Sequence, residues 1–482
     1  LDFGGKKVDT GKWPDAGMQI SPRVGFSWDV FGDNSLKFRG GTGLFAGRLP
    51  LVFFTNMPTN ASLVQMTVSR SSSDGKPATI ADLQKLQKAD GTVYAKVDEM
   101  ISALGLQTQL TDANHAAGNK ISGVIDDFKM PQVWKTSVAA DYNLPTSFPF
   151  SVTAEAMFTK NITAVYIENI NLKNPSEKFS GADNRPKFSA DKYYTGKADA
   201  VMLDNTSKGY GYTLNLTANM QPVKDLDLMI AYTHTESREL SGMPGSDPIS
   251  TWQGTYVVDG PNNLSLQRSQ YVTPNKLIGS VNWFIPFSHN KLLRGTSLNL
   301  FYQGYSASGN SVMYSNDMNG DGYTNDLMYI PANDNEIIFK NDADGAQRKA
   351  FWAFIDQDDY LKNHKGEYAE AYADRAPWIN RFDFRLTEDF CFKTGKQEHK
   401  FQLSFDIVNV GNLLNSHWGV QKYTGNTTYT ISPLKFEGTN ESGVPTYSMN
   451  KVNGEYMKDS FVVDKSFGHC WKMQIGVKYF FN

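Results

Sequence analysis

The run Asp317-Met318-Asn319-Gly320-Asp321-Gly322, continued by Asn325 and Asp326, sets side-chain oxygens at positions one, three, five and nine of a loop with glycine at position six. This is the front of a calcium loop of EF-hand type: hard oxygen donors converge on a hard cation, and glycine permits the sharp bend. Position twelve departs from the pattern, because Met328 stands where a bidentate Glu belongs. Asp326 then has to supply the closing carboxylate. Asp317, Asn319, Asp321, Asn325 and Asp326 are the candidate Ca2+ ligands, weighed against a plain turn in which Asn and Asp favour left-handed and Asx conformations. No other cofactor is expected.

Catalysis finds no matching constellation, and the chain is not expected to be an enzyme. The histidines His115, His234, His289, His364, His399, His417 and His469 include no HExxH pair, and no GxSxG elbow or Walker loop occurs. Cys391 and Cys470 lack metal-ligand spacing and fall on strands that are not neighbours, so no disulfide is expected between them.

The elements that carry these residues are strands. In the tail "CWKMQIGVKYFFN" the residues Trp471, Met473, Ile475, Val477, Tyr479 and Phe481 alternate with Lys472, Gln474, Gly476 and Lys478. A period of two gives a strand one greasy and one wet face. The pattern recurs at about 22–31, 36–44, 131–143, 149–167, 209–220, 226–238, 274–286, 296–307, 377–391 and 399–410, eleven strands with the tail. Connectors alternate between short ones of 3 to 9 residues and long ones at about 47–130, 168–208, 239–273, 308–376 and 411–468. Compact domains rarely carry so many long connections. Outer-membrane barrels carry short periplasmic turns and long extracellular loops.

Composition agrees. The mean hydropathy is −0.43 while aromatics reach 13%, and no run of about 18 apolar residues offers a membrane helix; a barrel wall escapes that average because it is polar on one side. Aromatics gather at both strand ends, with Phe31, Tyr142, Phe148, Phe150, Trp283, Phe284, Phe287, Phe390, Phe392, Tyr479, Phe480 and Phe481 beside the short turns. Phe45, Tyr232, Tyr305, Trp378 and Trp471 stand opposite. Such belts suit the two interfaces of a bilayer. The reading is an all-β fold, a transmembrane antiparallel β-barrel, with 1–482 one barrel domain. A soluble sandwich or propeller would leave the one-sided long loops without a reason.

Two short helices decorate the longest loop, marked by Ile80, Leu83 and Leu86, by Val97, Met100, Ile101 and Leu104, and by a Thr79–Asp82 capping box. On the wet face, the row Arg381, Asp383, Arg385 either meets an anionic ligand or forms ion pairs between strands. An open edge in hydrocarbon would cost several kcal/mol per unpaired group. Eleven strands cannot close an even-numbered barrel, so either the strand count is off by one or further strands precede Leu1.

The runs "SPRVGFSWDVFGDNSLKFRGGTGLFAGRLP", "NDMNGDGYTNDLMYIP", "RAPWINRFDFRLTEDF" and "FQLSFDIVNVGNLLNSHWG" resemble the barrel of TonB-dependent outer-membrane receptors, and most of all the Oar-like branch. That resemblance implies a 22-stranded barrel with an N-terminal plug, of which this chain is strands 12 to 22, without the plug or the regulatory-like domain. It implies TonB as a partner through the missing part, the barrel assembly machinery as a partner during insertion, and an assembly signal on Tyr479 and Phe481. The final Asn482 departs from the aromatic ending of the family. The function implied is energised uptake of a large or scarce ligand; the alternatives are a scaffold subunit, whose loops dock a surface lipoprotein or other outer-membrane proteins, and a passive porin. Contact with membrane lipid is expected, and the net charge of −3 speaks against nucleic acid.

Overall fold

The computed structural model describes residues 2–59, 61, 79–105, 120–195, 199–286, 292–307, 309–425 and 430–480. Phe481 and Phe287 lie outside them. All eleven anticipated strands form one antiparallel path: β1 (Arg23–Asp29), β2 (Leu36–Ala46), β3 (Gln132–Asn143), β4 (Phe150–Asn169), β5 (Tyr210–Val223), β6 (Leu226–Glu239), β7 (Asn275–Pro286), β8 (Leu293–Tyr305), β9 (Ile379–Thr394), β10 (Gln397–Val408) and β11 (Lys472–Phe480). Each pairs with its sequence neighbours in the wall, so a hairpin topology runs from end to end. Among the described residues, β1 and β11 each have a wall partner on one side only.

Register carries the two-faced pattern across the wall. Leu228, Val281, Leu300, Phe384, Ile407 and Met473 are successive cross-strand partners on β6 to β11. One residue away, Asp227, Asn282, Asn299, Arg385, Asp406 and Gln474 are likewise partners. A slip of one residue would exchange the two rows wholesale, and this is what fixes the pairing. The greasy row continues outward-exposed at β11, where Ile475 is 68% and Val477 71% accessible.

The same register corrects part of the aromatic assignment. Phe45 shares the face of Arg39 and Lys135, and both Arg23 and Lys135 lie over its ring. Phe284 pairs with Ser297, Tyr305 with Lys276 and Phe480 with Lys400, so these three also fall on the wet side. Their position near strand ends was legible, but one step of alternation decides the face. The belt on the greasy side includes Phe392, Phe401 and Tyr479, stacked against one another at the short-turn end. At the other end Tyr232 donates to Asn275 Oδ1 at 2.7 Å, and Tyr302 and Trp378 donate to Asn380 Oδ1 at 2.7 and 3.1 Å. Rings in lipid with satisfied polar tips mark a membrane boundary.

Beyond that boundary the wall strands continue upward. β4 has 20 residues, about twice what a tilted strand needs to cross a bilayer, and its far end pairs with Ala200–Thr206, which pairs in parallel with Ile121–Val124. Gly309–Tyr314 pairs in parallel with Thr430–Thr439, which pairs with Pro445–Met449. Four of the five long connectors therefore share two small sheets.

The connectors also bury their own cores. One gathers Val312, Tyr314, Met328, Ile330, Phe351, Phe354, Ile355 and Leu434; a second gathers Leu49, Phe53, Phe54, Met57, Val201, Leu203, Ile249 and Trp252. Helix α1 (Val52–Thr59) supplies three residues to the second. Helices α2 (Ile80–Lys85) and α3 (Val97–Ala103) form where expected, α2 with the Thr79–Asp82 capping box, and neither has a buried residue. Helix α4 (Pro248–Gln253) starts on an Asp247 cap. In α5 (Ala346–Gln357) the spacing of Phe351, Phe354 and Ile355 points one stripe into the first core, and α6 (Asp359–Asn363) follows on an Asp358 cap. The long connectors are thus a folded cap rather than separate arms.

Candidate functional site: the connector cap and the wet face of the wall

The cap is fastened internally by one buried cation. Arg185 is fully buried; its Nε donates to Asp183 Oδ1 at 2.9 Å and its Nη2 to the Leu327 carbonyl at 2.6 Å, while Nη1 stands 3.5 Å from Asp326 Oδ1. The rings of Tyr314 and Tyr368 flank the guanidinium at 5.0 and 5.2 Å. Tyr314 and Tyr368 also donate to Asp183 at 2.7 and 3.1 Å. A charge out of water is tolerable only when paired and hydrogen-bonded in this way. The hub joins the second long connector to the fourth, and through Tyr447 to the fifth. Apart from Asp326, its residues carry no motif: Arg185 sits in an aperiodic stretch, and no sequence signal would have singled it out.

The Asp317–Asp326 run does fold into one tight turn. Asp317 accepts from the Gly320 and Gly322 amides at 2.7 and 2.8 Å, Asp321 from the Tyr323 amide at 2.8 Å, and Asp326 Oδ2 from the Met318 amide at 2.8 Å. Asn319 Nδ2 donates to Asp321 Oδ2 at 3.0 Å, and Asn325 Nδ2 donates to the Thr255 carbonyl at 3.0 Å. Most of the candidate ligand oxygens are thus engaged by the turn's own donors. Among the described residues, no group of three or more His, Cys, Asp or Glu is arranged to hold a metal ion. Met328, which breaks the calcium pattern at position twelve, is fully buried in the first core. Burial, then the neighbouring charges of Asp326 and Asp317, pushes the Asp321 carboxyl up to about 8. Burial likewise raises Asp326, to about 6, against the pull of Arg185.

A ring of four charges ties the cap to the wall above the boundary. Arg238 Nε donates to Glu236 at 3.0 Å and Arg238 also pairs with Glu370; Arg268 joins Glu236 and Glu370, each at 3.1 Å. Glu236 and Arg238 belong to β6, Glu370 to the fourth connector. Glu370→Gln leaves two arginines sharing one carboxylate. The expected cost, discounted for partial exposure, is about 1–2 kcal/mol, read as a roughly tenfold faster proteolytic nicking of the fourth connector.

On the wet face, the row Arg381, Asp383, Arg385 resolves into ion pairs: Arg381 with Asp383 at 3.1 Å and Arg385 with Asp406 at 3.2 Å. Asn215 donates to Thr233 on the same face at 2.8 Å. The short-turn end carries an open cleft of about 720 Å³ lined by Asn143, Ser151, Asn219, Asp227, Ser280 and Asn282 among others. Gly40 meets the strand backbone closely, since a Cβ there would stand 2.6 Å from the Ser137 carbonyl and 2.9 Å from the Phe26 ring. Both cysteines are free, Cys391 buried and Cys470 exposed. Tyr479 lies in the aromatic stack of β11, where Phe401 and His399 contact it.

Among solved structures, the chain is similar to the outer membrane transporter YddB from Escherichia coli, at 12% identity and a TM-score of 0.41, over 96% of this chain and 41% of that one. It is also similar to the FrpB iron transporter from Neisseria meningitidis (F3-3 variant), at 10% identity and a TM-score of 0.34, over 96% of this chain and 39% of that one. The chain spans about two fifths of the length of these structures. A comparison with curated proteins returns no match. The family model described as outer membrane beta barrel domain matches residues 1–431; in keeping with its two-faced antiparallel wall, the chain belongs to the outer-membrane β-barrel domain family.

Proposed function

We propose that this chain is the C-terminal part of a TonB-dependent receptor of the Oar-like branch, and that the assembled protein imports a large or scarce ligand at the expense of inner-membrane energy. The observation that carries the reading is the pairing of a polar inner wall with a folded cap of long connectors at one end. Eleven wall strands supply half of a 22-stranded barrel, a lumen too wide to leave unblocked, and further strands and a plug complete it. The sequence runs quoted above support the same assignment. The long connectors face outward from the cell, where the shared cores hold them as a fixed capture surface. Wild-type cells are expected to take up the ligand and cells lacking the energising partner are not; uptake that persists without that partner overturns the proposal. A docking role for the cap is supported by α2 and α3, whose apolar residues Ile80, Leu83 and Val97 are exposed; it predicts a stoichiometric complex on purification, with a surface lipoprotein or another outer-membrane protein.

The calcium proposal for Asp317, Asn319, Asp321, Asn325 and Asp326 has its own test. An Asp with an ordinary value of 3.8 raised to about 8 in the folded state contributes full stability below pH 4 and loses it as pH climbs to 8. The cap is therefore expected to melt lower at pH 8.5 than at pH 5. Added Ca2+ restores the alkaline melting temperature if Asp321 and Asp326 take the ion; no change assigns their counter-charge to Arg185 alone.

A further inference from the structure

The chain leaves β10 through a closed loop of unusual composition. Residues 409–420, "NVGNLLNSHWGV", contain no Asp, Glu, Lys or Arg. Asn409 turns left-handed at φ 57° and is buried. Its amide donates to Asp383 Oδ1 at 2.7 Å, and its Nδ2 donates to the carbonyls of Gly419 and His469 at 3.1 and 2.9 Å. Asn412 Nδ2 donates to the carbonyls of Ser416 and Trp418, both at 3.0 Å, and its Oδ1 accepts from the Trp471 amide at 3.1 Å. Gly419, at φ +62°, closes the loop where a Cβ would stand 2.0 Å from Asn409 Oδ1. The two asparagines spend their amides on the loop's own backbone and fasten it to the start of β11.

Leu413, Leu414 and Trp418 point outward, flanking the exposed polar residues Asn415, Ser416 and His417. Helix α7 (Val410–Leu414) presents Leu413 and Leu414, the latter 75% exposed, and Trp418 beside it is 56% exposed. A Cβ on Gly411 would lie 3.9 Å from the Phe382 ring and 3.8 Å from Trp418 Cβ. Phe382 pairs with Tyr302 on the greasy face, ring centroids 4.8 Å apart. The loop is therefore continuous with the lipid-facing surface at the depth where Tyr302 and Trp378 mark its boundary. Large apolar side chains held rigidly in the open signal a contact surface, and continuity with a surface already facing lipid identifies the occupant.

We propose that residues 410–418 form a lipid hook: Leu413, Leu414 and Trp418 dip among the acyl chains just below the headgroups, at the bilayer boundary on the long-connector side. The loop carries no Asp, Glu, Lys or Arg and Asn409 and Asn412 bond its own backbone, so only the three apolar side chains need enter the acyl region while the exposed Asn415, Ser416 and His417 stay at headgroup level. The inference rests on the wall standing in a membrane and not on the import reading, so uptake measurements do not bear on it.

The test uses the full-length protein with Cys470→Ser and Leu414→Cys, labelled with a nitrobenzoxadiazole dye and reconstituted in phosphatidylcholine vesicles. Heat-modifiable migration in gels verifies the folded barrel. Dye at 414 is expected to emit at shorter wavelength than dye at an exposed cap position, Ser442→Cys, and to be quenched several-fold more by phosphatidylcholine brominated on its acyl chains. Equal quenching at the two positions overturns the proposal. Blue-shifted emission without bromolipid quenching also overturns it and assigns the surface to a protein, whether a second copy or another partner. Independently, Trp418→Phe is expected to remove a bromolipid-quenchable part of the intrinsic fluorescence; if the quenchable part is unchanged, the hook does not enter lipid.

Discussion

Arg185→Met is expected to destabilise the cap by about 3–5 kcal/mol, the cost of removing one member of a buried ion pair. Methionine fills the space between the Tyr314 and Tyr368 rings, so the loss is chiefly electrostatic. Asp183 keeps its tyrosine hydroxyl donors, at 2.7 and 3.1 Å, but Asp326 Oδ1, which has no hydrogen bond, loses the guanidinium that faces it at 3.5 Å and stays buried without a counter-charge. Arg185→Met combined with Asp326→Asn is therefore expected to recover part of the stability, because the carboxyl group that lost its cation is then replaced by a neutral amide. Pulse proteolysis in detergent reads the cap, and heat-modifiable migration reads the wall. The cap should open while the wall stays folded. Equal loss of both would mean that the connectors and the wall unfold as a single unit.

Val281→Arg and Asn282→Arg form the second test, on adjacent residues of β7. Val281 lies between Leu228 and Leu300, and Asn282 between Asp227 and Asn299. With hydrocarbon on the Val281 side, arginine there costs about 2–4 kcal/mol near the midplane, while a lumen substitution is mild. Arginine at 282 also gains the neighbouring Asp227 carboxylate, worth a fraction of about 1 kcal/mol. The expected result is a loss of folded, membrane-inserted protein for Val281→Arg of tenfold or more, at about 1.4 kcal/mol per factor of ten, with near-normal amounts for Asn282→Arg. Similar amounts for the pair would remove lipid as the solvent of the greasy face.

The wall was legible because each of its strands repeats one rule. Val477, Ile475 and Met473 alternate with Lys478, Gly476 and Gln474 over a length no helix would tolerate, and short turns such as the one around Gly395 punctuate the pattern. The row Arg381, Asp383, Arg385 was placed on the correct face by the same alternation. Faces at strand ends were less secure: Phe45 and Phe284 are aromatic like their belt neighbours, and composition does not count the single step that turns them inward. The cap was largely illegible. Its strands are short, two of its pairings are parallel, and partners such as Val312 and Ile431 come from different connectors, so no local window contains both. The Asp317–Asp326 turn shows the limit most directly, since the spacing that suggests calcium also satisfies amides, and only the position of Arg185, far away in sequence, supplies a competing charge.

The parallel pairing of Gly309–Tyr314 with Thr430–Thr439 has a kinetic consequence. These segments are separated by about one hundred residues and by two wall strands, so closing that sheet carries a large loop-closure entropy unless the wall has already brought its ends together. Maturation is therefore ordered: hairpins first, cap afterwards, with the cap's apolar residues uncovered in the interval. Holdase protection would matter most in that interval, and a variant that slows wall formation would lengthen it without touching a single cap contact.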